Sequence, residues 1–319
     1  MWRILVSLLV LAFLFIRTRF WVQQPVRHFY DFKLGPQPPS TRHYDPLHVK
    51  TFLYTDEDLS PITAFLRTHS TNHYPDEDDM RPFFTLATVS VYVDGGLKGC
   101  IVARPVTLHL DRTTLKGTVR EYMVAPDAAV VKPLLCSHGV DCKFPGVFYA
   151  DDPIPWLAPF VTHPIWWTNT HHFKREKGCR CVRVTDATMR PLIDLLSANK
   201  TLCRIVPPID LLRTYLLGKV YSAFLAVVQG RPAAAFFFKK TSMLHENQPV
   251  LDCIGVVQRD PAQGAFSNLM HFFRKEFPVV RVYGLAHAPT TPAFRTTHRR
   301  YYLYGYYCKT FAPENCFLL

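Results

Sequence analysis

Apolar positions are distributed along the chain as one uninterrupted N-terminal run followed by shorter periodic segments. Residues 4–16 contain no charge over thirteen positions. A membrane-spanning helix needs about 20 apolar residues, so this run predicts a short membrane anchor within residues 1–18, with a cleaved signal peptide as the alternative. The segment RTRF that follows is a poor cleavage site, which favours the anchor. More arginines follow the run than precede it, which predicts that the body of the protein faces the cytoplasm.

Two helix-period segments repeat one pattern at an interval of about 130 residues. YTDEDLSPITAFLRTH begins at Tyr54 and VTDATMRPLIDLLSAN begins at Val184. Each places Thr-Asp after a strand-like residue, then a proline at the same offset, then a helical apolar run. Thr55–Asp56 and Thr185–Asp186 are natural helix N-caps. The pattern predicts a helix in each half of the chain.

Two strand-period segments repeat in the same order. SVYVDGGLKGCIVARP from Ser90 and AFLAVVQGRPAAAFFFKKT from Ala223 each join two β-rich runs through a glycine-containing turn, which is typical of a hairpin. The paired repeats predict a duplicated unit and a mixed α/β (α+β) fold. We place the domains at residues 19–174 and 175–319, with the boundary in the polar segment 169–180.

Composition and charge narrow the function classes only slightly. An apolar fraction of 48% and an aromatic fraction of 14% exclude a disordered chain. The net charge of +12 is spread along the sequence, which favours anionic partners such as phosphorylated cofactors, nucleic acid or acidic lipid. A solvated basic surface explains the same excess. No nucleic-acid-binding motif accompanies it, so we expect no nucleic-acid partner.

The cysteines predict reduced thiols. Their number, nine, is odd, and no regular framework spacing connects them. One group could bind zinc, although its spacings differ from those of common structural zinc sites; it comprises Cys136, His138, Cys142, His171, His172, Cys179 and Cys181. Free thiols in a cytosolic domain are the simpler interpretation, and we expect no metal.

The order of strand, helix, hairpin and further strand in each unit resembles the GCN5-related N-acyltransferase (GNAT) fold. The resemblance implies that acyl-CoA lies between two splayed strands, one of them within Gly117–Pro126. Over residues 19–319 the chain also resembles glycylpeptide N-tetradecanoyltransferase (N-myristoyltransferase). The motifs that carry this resemblance are RFWVQQPV, NHYPDEDDMRPFF, LKGCIVARPVTLHL and RRYYLYGYYC.

The resemblance implies two tandem GNAT-like domains with a pseudo-twofold repeat, the first binding acyl-CoA and the second binding a peptide. The implied reaction transfers myristoyl from the co-substrate myristoyl-CoA to the N-terminal glycine amine of a protein. It implies a monomer without a permanently bound cofactor. Because the donor and the lipidated product both favour membranes, an anchor through residues 4–16 suits this activity.

The resemblance also assigns roles to individual residues. The carboxylate of Leu319 would be the base, since burial raises the pKa of a carboxyl group; packing of the apolar tail CFLL is the alternative. The backbone amides of Met123 and Val124 would hold the oxyanion. Phe20 and Trp21 would lie along myristoyl-CoA, although membrane-interface anchoring also suits them. The remaining implied contacts are Lys132 for the CoA phosphates, and Asp76, Glu77, Asp78, Asp79, Phe83 and Phe84 for the peptide, with a solvated acidic loop as the alternative.

The sequence departs from the family in three places. The family's Gly-Asp-Gly loop before the Tyr-Tyr-Leu-Tyr strand is replaced by RTTHRR. The basic CoA loop is replaced by DAAVVKPLL, in which only Lys132 is cationic. By register from Cys308 the chain ends about two residues before the family's usual end, and proton transfer requires contact near ~3 Å. Two functions therefore stay open: an active transferase, and a non-catalytic relative that binds acyl groups or proteins.

Overall fold

The computed structural model describes residues 2–69, 81–82, 84–259, 264–284 and 293–319. The N-terminal apolar run belongs to one helix, α1 (Trp2–Val22). Within the described ranges, no helix combines the length and the apolar character required to cross a membrane. The prediction of a transmembrane helix at residues 4–16 is therefore not supported, because the uncharged run is shorter than the roughly 20 residues required.

The strands and helices form two successive sets after α1. The first set contains β1 (Gly35–Pro36), β2 (Val49–Leu53), α2 (Leu59–His69), β3 (Thr88–Val93), β4 (Leu97–Leu110), β5 (Thr113–Val124), α3 (Ala128–Asp141), β6 (Gly146–Ala150) and β7 (Val161–Asn169). The second contains β8 (Arg180–Arg183), α4 (Met189–Ala198), β9 (Cys203–Val206), α5 (Ile209–Leu217), β10 (Tyr221–Val228), β11 (Arg231–His245), β12 (Gln248–Gln258), α6 (Ala265–Phe273), β13 (Val279–Tyr283), β14 (Arg295–Tyr304), β15 (Tyr306–Tyr307) and β16 (Cys316–Leu318). The mixed α/β class predicted from the repeats is confirmed.

Local sequence signals explain the start of each repeated unit. A short 3-10 turn, Asp56–Asp58 or Asp186–Thr188, precedes α2 and α4 respectively. In the second unit, Thr185 and Thr188 bond to each other's backbone N–H in a capping box. The hairpin from β10 to β11 turns at Gln229 and Gly230, whose φ angles are 50° and 77°. Two successive positive φ values match the turn that best fits strand twist.

The two units share one sheet. Its order is β16-β9-β4-β5-β6-β14-β7-β13-β12-β11-β10-β8, with β3 and β2 branching from β4. Strand β14, from the end of the second unit, lies between β6 and β7 of the first. Strand β9 likewise pairs with β4. The units are therefore interlocked by exchanged strands.

Each unit contains a pair of parallel strands that separates beyond a β-bulge. β5 and β6 pair only at Thr118 with Gly146 and at Val119 with Val147. A register shift against β4 follows at once and leaves Glu121 without a cross-strand partner. In the second unit β12 pairs with β13 as far as Cys253, and a shift against β11 leaves Ile254 unpaired in register. Bulges bend the strand that carries them, so both units open a gap at equivalent positions.

The C-terminal strand packs against β12 of the second unit. β16 runs parallel to β9, and Phe317 and Leu319 belong to the core formed by α4, α5, β10 and β11. A Cβ atom on Gly255 of β12 would lie 2.8 Å from the Phe317 ring, so glycine permits this close approach. Leu318 of β16 packs in a second buried cluster with Val119 of β5 and Val147 of β6.

Candidate functional site

A cleft of about 1300 Å³ lies where the two units meet. Its walls include Glu121 from the bulge of β5, Lys239 of β11, Ile254 from the bulge of β12, Arg299 of β14 and the terminal Leu319. Both bulges therefore contribute to one cavity, and the C-terminal residue lies at the same place.

Leu319 is buried and held at both ends of its main chain. The residue as a whole is 5% exposed, and its N–H donates to the carbonyl of Ile205 at 2.8 Å. The Nη2 atom of Arg104 donates to the main-chain oxygen of Leu319 at 2.6 Å. A guanidinium at this distance favours a charged oxygen acceptor. The apolar end CFLL thus packs into the core and also places its last main-chain oxygen beside a buried cation.

Arg104 connects Leu319 to Glu121. Its Nε atom donates to Oε1 of Glu121 at 2.5 Å, and Lys239 Nζ lies 3.9 Å from the other carboxylate oxygen. Burial alone would raise the pKa of Glu121, but the charges of Arg104 and Lys239 outweigh it and lower the pKa. Glu121 is therefore ionised near neutral pH and is a weak base. Its role in the cleft is to hold Arg104 in place.

A second ionic group lines the same cleft. Arg281 binds Asp252 through two bonds, Nε to Oδ1 at 2.7 Å and Nη2 to Oδ2 at 2.6 Å. The hydroxyl of Tyr283 donates to the same carboxylate at 3.2 Å. Arg299 pairs with Asp151 at 2.8 Å. A bidentate pair fixes both orientation and charge, so this group forms a rigid polar surface.

The predicted oxyanion donors lie at the edge of the first gap. Met123 and Val124 form the last two positions of β5 and pair with Ile101 and Cys100 of β4. Successive amides of an antiparallel strand point to opposite sides. One of the two amides therefore faces the gap, where β6 no longer pairs with β5. Met123 is 40% exposed and Val124 is 8% exposed. The location suits a backbone donor, and the role stays a prediction.

Phe20 and Trp21 lie beside the same gap. They lie in the last turn of α1, and their rings meet edge to face at 5.3 Å. The Trp21 ring stacks at 5.4 Å on Phe148 of β6, the strand that leaves β5. Phe20 packs with Val130 and other apolar residues of α3. The aromatic pair therefore borders the space between the separated strands.

The N-terminus of α3 carries an acidic cap. Oδ1 of Asp127 accepts the N–H of Ala129 at 2.8 Å. Lys132 is exposed on the first turns of α3. The pKa of His43 is lowered by burial and then by the charges of Lys132 and Arg42, which places these three groups near one another. A helix N-terminus favours anions, but here a carboxylate of the chain already occupies it.

The predicted peptide contacts are only partly described. Asp76, Glu77, Asp78, Asp79 and Phe83 lie outside the described residues. Phe84 is fully buried and does not line the cleft. Its ring stacks between Tyr54 at 5.3 Å and Tyr122 at 6.1 Å, and Tyr122 lines the cleft. Direct peptide contact by Phe84 stays a prediction, and in the structure residues of α2 and β3 surround its ring.

The cysteine and histidine group predicted from spacing is divided between distant elements. Cys136, His138 and Cys142 lie in α3 or at its end, whereas Cys179 and Cys181 lie at β8. All nine cysteines are free. Within the part of the chain that the structure describes, no three His, Cys, Asp or Glu side chains are placed to hold a metal ion.

The sequence interpretation missed the ionic residues of the cleft. Arg104 and Glu121 are the clearest cases, since each interrupts an apolar strand, in ARPVTLHL and VREYMV. A charge inside a buried strand usually has a partner or a function, which was the available signal. Their mutual pairing depends on strand register, which spacing alone does not give.

Comparison with known proteins identifies the fold. No protein-family model matches the chain, and no curated protein matches it by sequence. A Saccharomyces cerevisiae N-myristoyltransferase structure with bound myristoyl-CoA aligns at TM-score 0.71 and 11% identity, covering 94% of this chain and 90% of that one. A second, with myristoyl-CoA and inhibitors, aligns at 0.71 and 10%, covering 92% and 91%. A GCN5-related N-acetyltransferase from Kribbella flavida aligns at 0.54 and 12%, covering 80% and 70%. The resemblance seen in the sequence is thus confirmed at the level of the fold, two tandem GNAT-like domains.

Proposed function

We propose that this chain, which has the fold of N-myristoyltransferase, is an acyltransferase that moves a myristoyl group from myristoyl-CoA to the N-terminal glycine amine of a protein. The observation that carries the proposal is the position of Leu319. Its main-chain oxygen lies in the central cleft, 2.6 Å from Nη2 of Arg104. In the proposal, this oxygen belongs to the carboxylate that acts as the base.

The two gaps suggest how donor and acceptor are arranged. The thioester would lie between β5 and β6, with Phe20 and Trp21 along the acyl chain. The amine would enter from the central cleft toward Leu319. Bringing both reactants to one place supplies much of the rate acceleration in such transfers.

The chemistry requires one base and one oxyanion site. The carboxylate of Leu319 would take a proton from the glycine ammonium, and the free amine would then attack the thioester carbon. Met123 and Val124 amides would stabilise the oxyanion. The C–N bond forms, the C–S bond breaks, and the CoA thiolate takes up the proton released from the nitrogen. Arg104 would position the carboxylate.

A non-catalytic acyl-binding protein is the second candidate. It is favoured by the acidic cap at Asp127, which competes with a phosphate for the amides at the start of α3. Arg104 also favours it, because a carboxylate bound by a guanidinium is a weaker base. Cytoplasmic location and a monomeric state stay predictions from the sequence.

The test measures CoA release from myristoyl-CoA by the full chain in the presence of a peptide that begins with glycine. A variant with one glycine added after Leu319 moves the carboxylate away and is the first comparison. A second variant, Lys200→Ala, changes an exposed residue outside the cleft and serves as the control.

Release that is lost with the extension and kept in the control supports the transferase. Tight calorimetric binding of myristoyl-CoA without release supports the acyl-binding alternative. If neither release nor binding occurs, both candidates are refuted. Equal CoA release by the extended variant would show that the Leu319 carboxylate is not the base.

A further inference from the structure

We propose that Cys203 and Cys316 are a modification site, at which a peroxide converts the two thiols into a reversible disulfide bond that ties the C-terminal strand to the sheet. Cys203 begins β9 and Cys316 begins β16. The two residues are direct partners in the parallel pairing of these strands. The pair takes no part in the acyl transfer proposed above, so its oxidation is a further property of the chain.

The strand pairing places the two sulfur atoms within bonding reach. Neighbouring strands lie about 4.8 Å apart, and a disulfide bond requires Cα atoms about 4.4–6.8 Å apart. Cys203 belongs to a buried cluster and Cys316 packs against it, so both side chains point to the same face of the sheet. The two thiols already form a hydrogen bond with each other. The disulfide bond can therefore form without a change of strand register.

The two thiols differ in their surroundings. Cys203 is buried, whereas Cys316 is partly exposed. Its hydrogen bond to Cys316, followed by burial, raises the pKa of the Cys203 thiol, so Cys203 stays protonated and donates to the sulfur of Cys316. Cys316 Sγ in turn donates to the carbonyl oxygen of Ala312 at 3.3 Å.

This difference assigns the order of the reaction. Peroxides oxidise the accessible thiolate of a pair, and the partner then resolves the product. Cys316 is the accessible member, so its thiolate attacks one peroxide oxygen and the O–O bond breaks. Cys316 becomes a sulfenic acid, and the departing hydroxide takes up a proton to form water.

The second step forms the disulfide bond. The sulfur of Cys203 attacks the sulfenic sulfur of Cys316, the S–S bond forms and the S–O bond breaks. The departing hydroxide takes the thiol proton of Cys203 and leaves as a second water. Two thiols are oxidised by two electrons and one hydrogen peroxide is reduced to two waters. A dithiol reverses the change by thiol–disulfide exchange.

The bond would restrain the end of the chain. In the described sheet, β16 is the terminal strand and pairs with β9. It is only three residues long, and short terminal elements open locally more easily than the rest of a fold. A covalent link at the first residue of β16 restricts this opening and keeps Leu319 beside Arg104.

Other cysteines provide the comparison. Cys308 belongs to the same buried cluster but is not a strand partner of Cys316. Cys179 and Cys181 also form a hydrogen bond with each other, and both are partly exposed. They lie two positions apart in one segment, where Cα atoms are separated by roughly 6.6 Å, near the upper limit for a disulfide bond.

The first test treats the native full chain with hydrogen peroxide, alkylates the remaining thiols and maps cross-linked peptides by mass spectrometry. We expect a cross-link between Cys203 and Cys316 that disappears after treatment with dithiothreitol. In the variant Cys203→Ala, dimedone should label Cys316 as a sulfenic acid. In Cys316→Ala, Cys203 should stay a thiol. The matched control, Cys179→Ser with Cys181→Ser, should form the same cross-link as the native chain.

The second test measures hydrogen exchange in residues 309–319 before and after oxidation. We expect the amides of β16 to exchange about tenfold more slowly in the oxidised protein, because the link opposes local opening. Peroxide should not slow this exchange in Cys316→Ala. Neither test requires CoA release, so an inactive chain would refute the transferase and leave this inference standing.

Several results would overturn the inference. One is oxidation of Cys316 to a sulfinic acid while Cys203 stays a thiol in the native chain. Another is a cross-link from Cys316 to Cys308, or a cross-link that forms only in urea, since either would show that the strand pairing does not join the proposed sulfurs. Unchanged exchange in the cross-linked protein would show that the bond does not restrain β16. The mapping uses the native chain, so it does not depend on how well the variants fold.

Discussion

Replacing Arg104 with methionine keeps most of the side-chain volume and removes the cation between Glu121 and Leu319. In the native protein Arg104 is 3% exposed, and its Nε and Nη2 atoms contact these two partners at 2.5 and 2.6 Å. The substitution removes the cation nearest to the buried Glu121 carboxylate and leaves Lys239 at 3.9 Å and the more distant Arg299. An uncompensated buried charge is costly, so the variant should be strongly destabilised.

Removal of one partner from a buried ion pair costs about 3–5 kcal/mol, and we expect a loss of that size in the free energy of unfolding at pH 7. The loss should shrink as the pH falls. The pKa of Glu121 is lowered in the folded protein, so its pairing stabilises the native state above the unfolded carboxyl pKa of about 4.3 and is lost at more acidic pH. In the variant, burial favours the neutral carboxyl group, so acid reduces its penalty.

Urea denaturation of the full chain at pH 7 and pH 4.5 measures both effects. The matched double variant Arg104→Met with Glu121→Gln removes both charges and should recover most of the lost stability. CoA release should stay low in the double variant, because Leu319 has lost its positioning contact. A destabilisation below about 1 kcal/mol at pH 7, or an equal one in the double variant, would refute the interpretation of Arg104 as a buried charge partner.

Three further predictions concern the gaps and the helix cap. Gly255→Val places a side chain against the Phe317 ring, 2.8 Å from the new Cβ; we expect a loss of about 1–3 kcal/mol in urea denaturation and loss of CoA release. Trp21→Ala removes the ring that stacks on Phe148 and should weaken myristoyl-CoA binding by calorimetry about tenfold, whereas unchanged affinity would place the acyl chain elsewhere. Asp127→Asn keeps a capping side chain but removes its charge, so CoA should bind about threefold more tightly in low salt; unchanged or weaker binding would show that the phosphates do not approach α3.

Local patterns in the sequence were sufficient to predict the repeated helices and hairpins. The Thr-Asp starts at residues 55 and 185 and the turn at Gln229 determine structure over a few residues, and the structure has a helix or a hairpin at each. The prediction of a transmembrane helix is not supported, because the thirteen-residue run is apolar but shorter than a spanning helix requires.

The ion pairs inside the cleft could not be predicted from the sequence. Arg104 meets Glu121 only because β4 and β5 pair with a one-residue bulge, and it meets Leu319 only because β16 joins the sheet 215 residues later. Such contacts depend on register and on distant strand pairing, which no local pattern records. The charges were visible as exceptions in apolar strands, but their partners were not.

The exchanged strand β14 has a consequence for synthesis of the protein on the ribosome. β6 ends at Ala150, but its partner β14 ends at Tyr304. At about 5–20 residues per second, the intervening chain takes roughly 8–30 s to emerge. During this time the nascent first unit exposes an unpaired strand edge, which is a template for aggregation. Production of the protein should therefore respond to chaperone levels, and a fragment that ends before β14 should precipitate rather than form an independent domain.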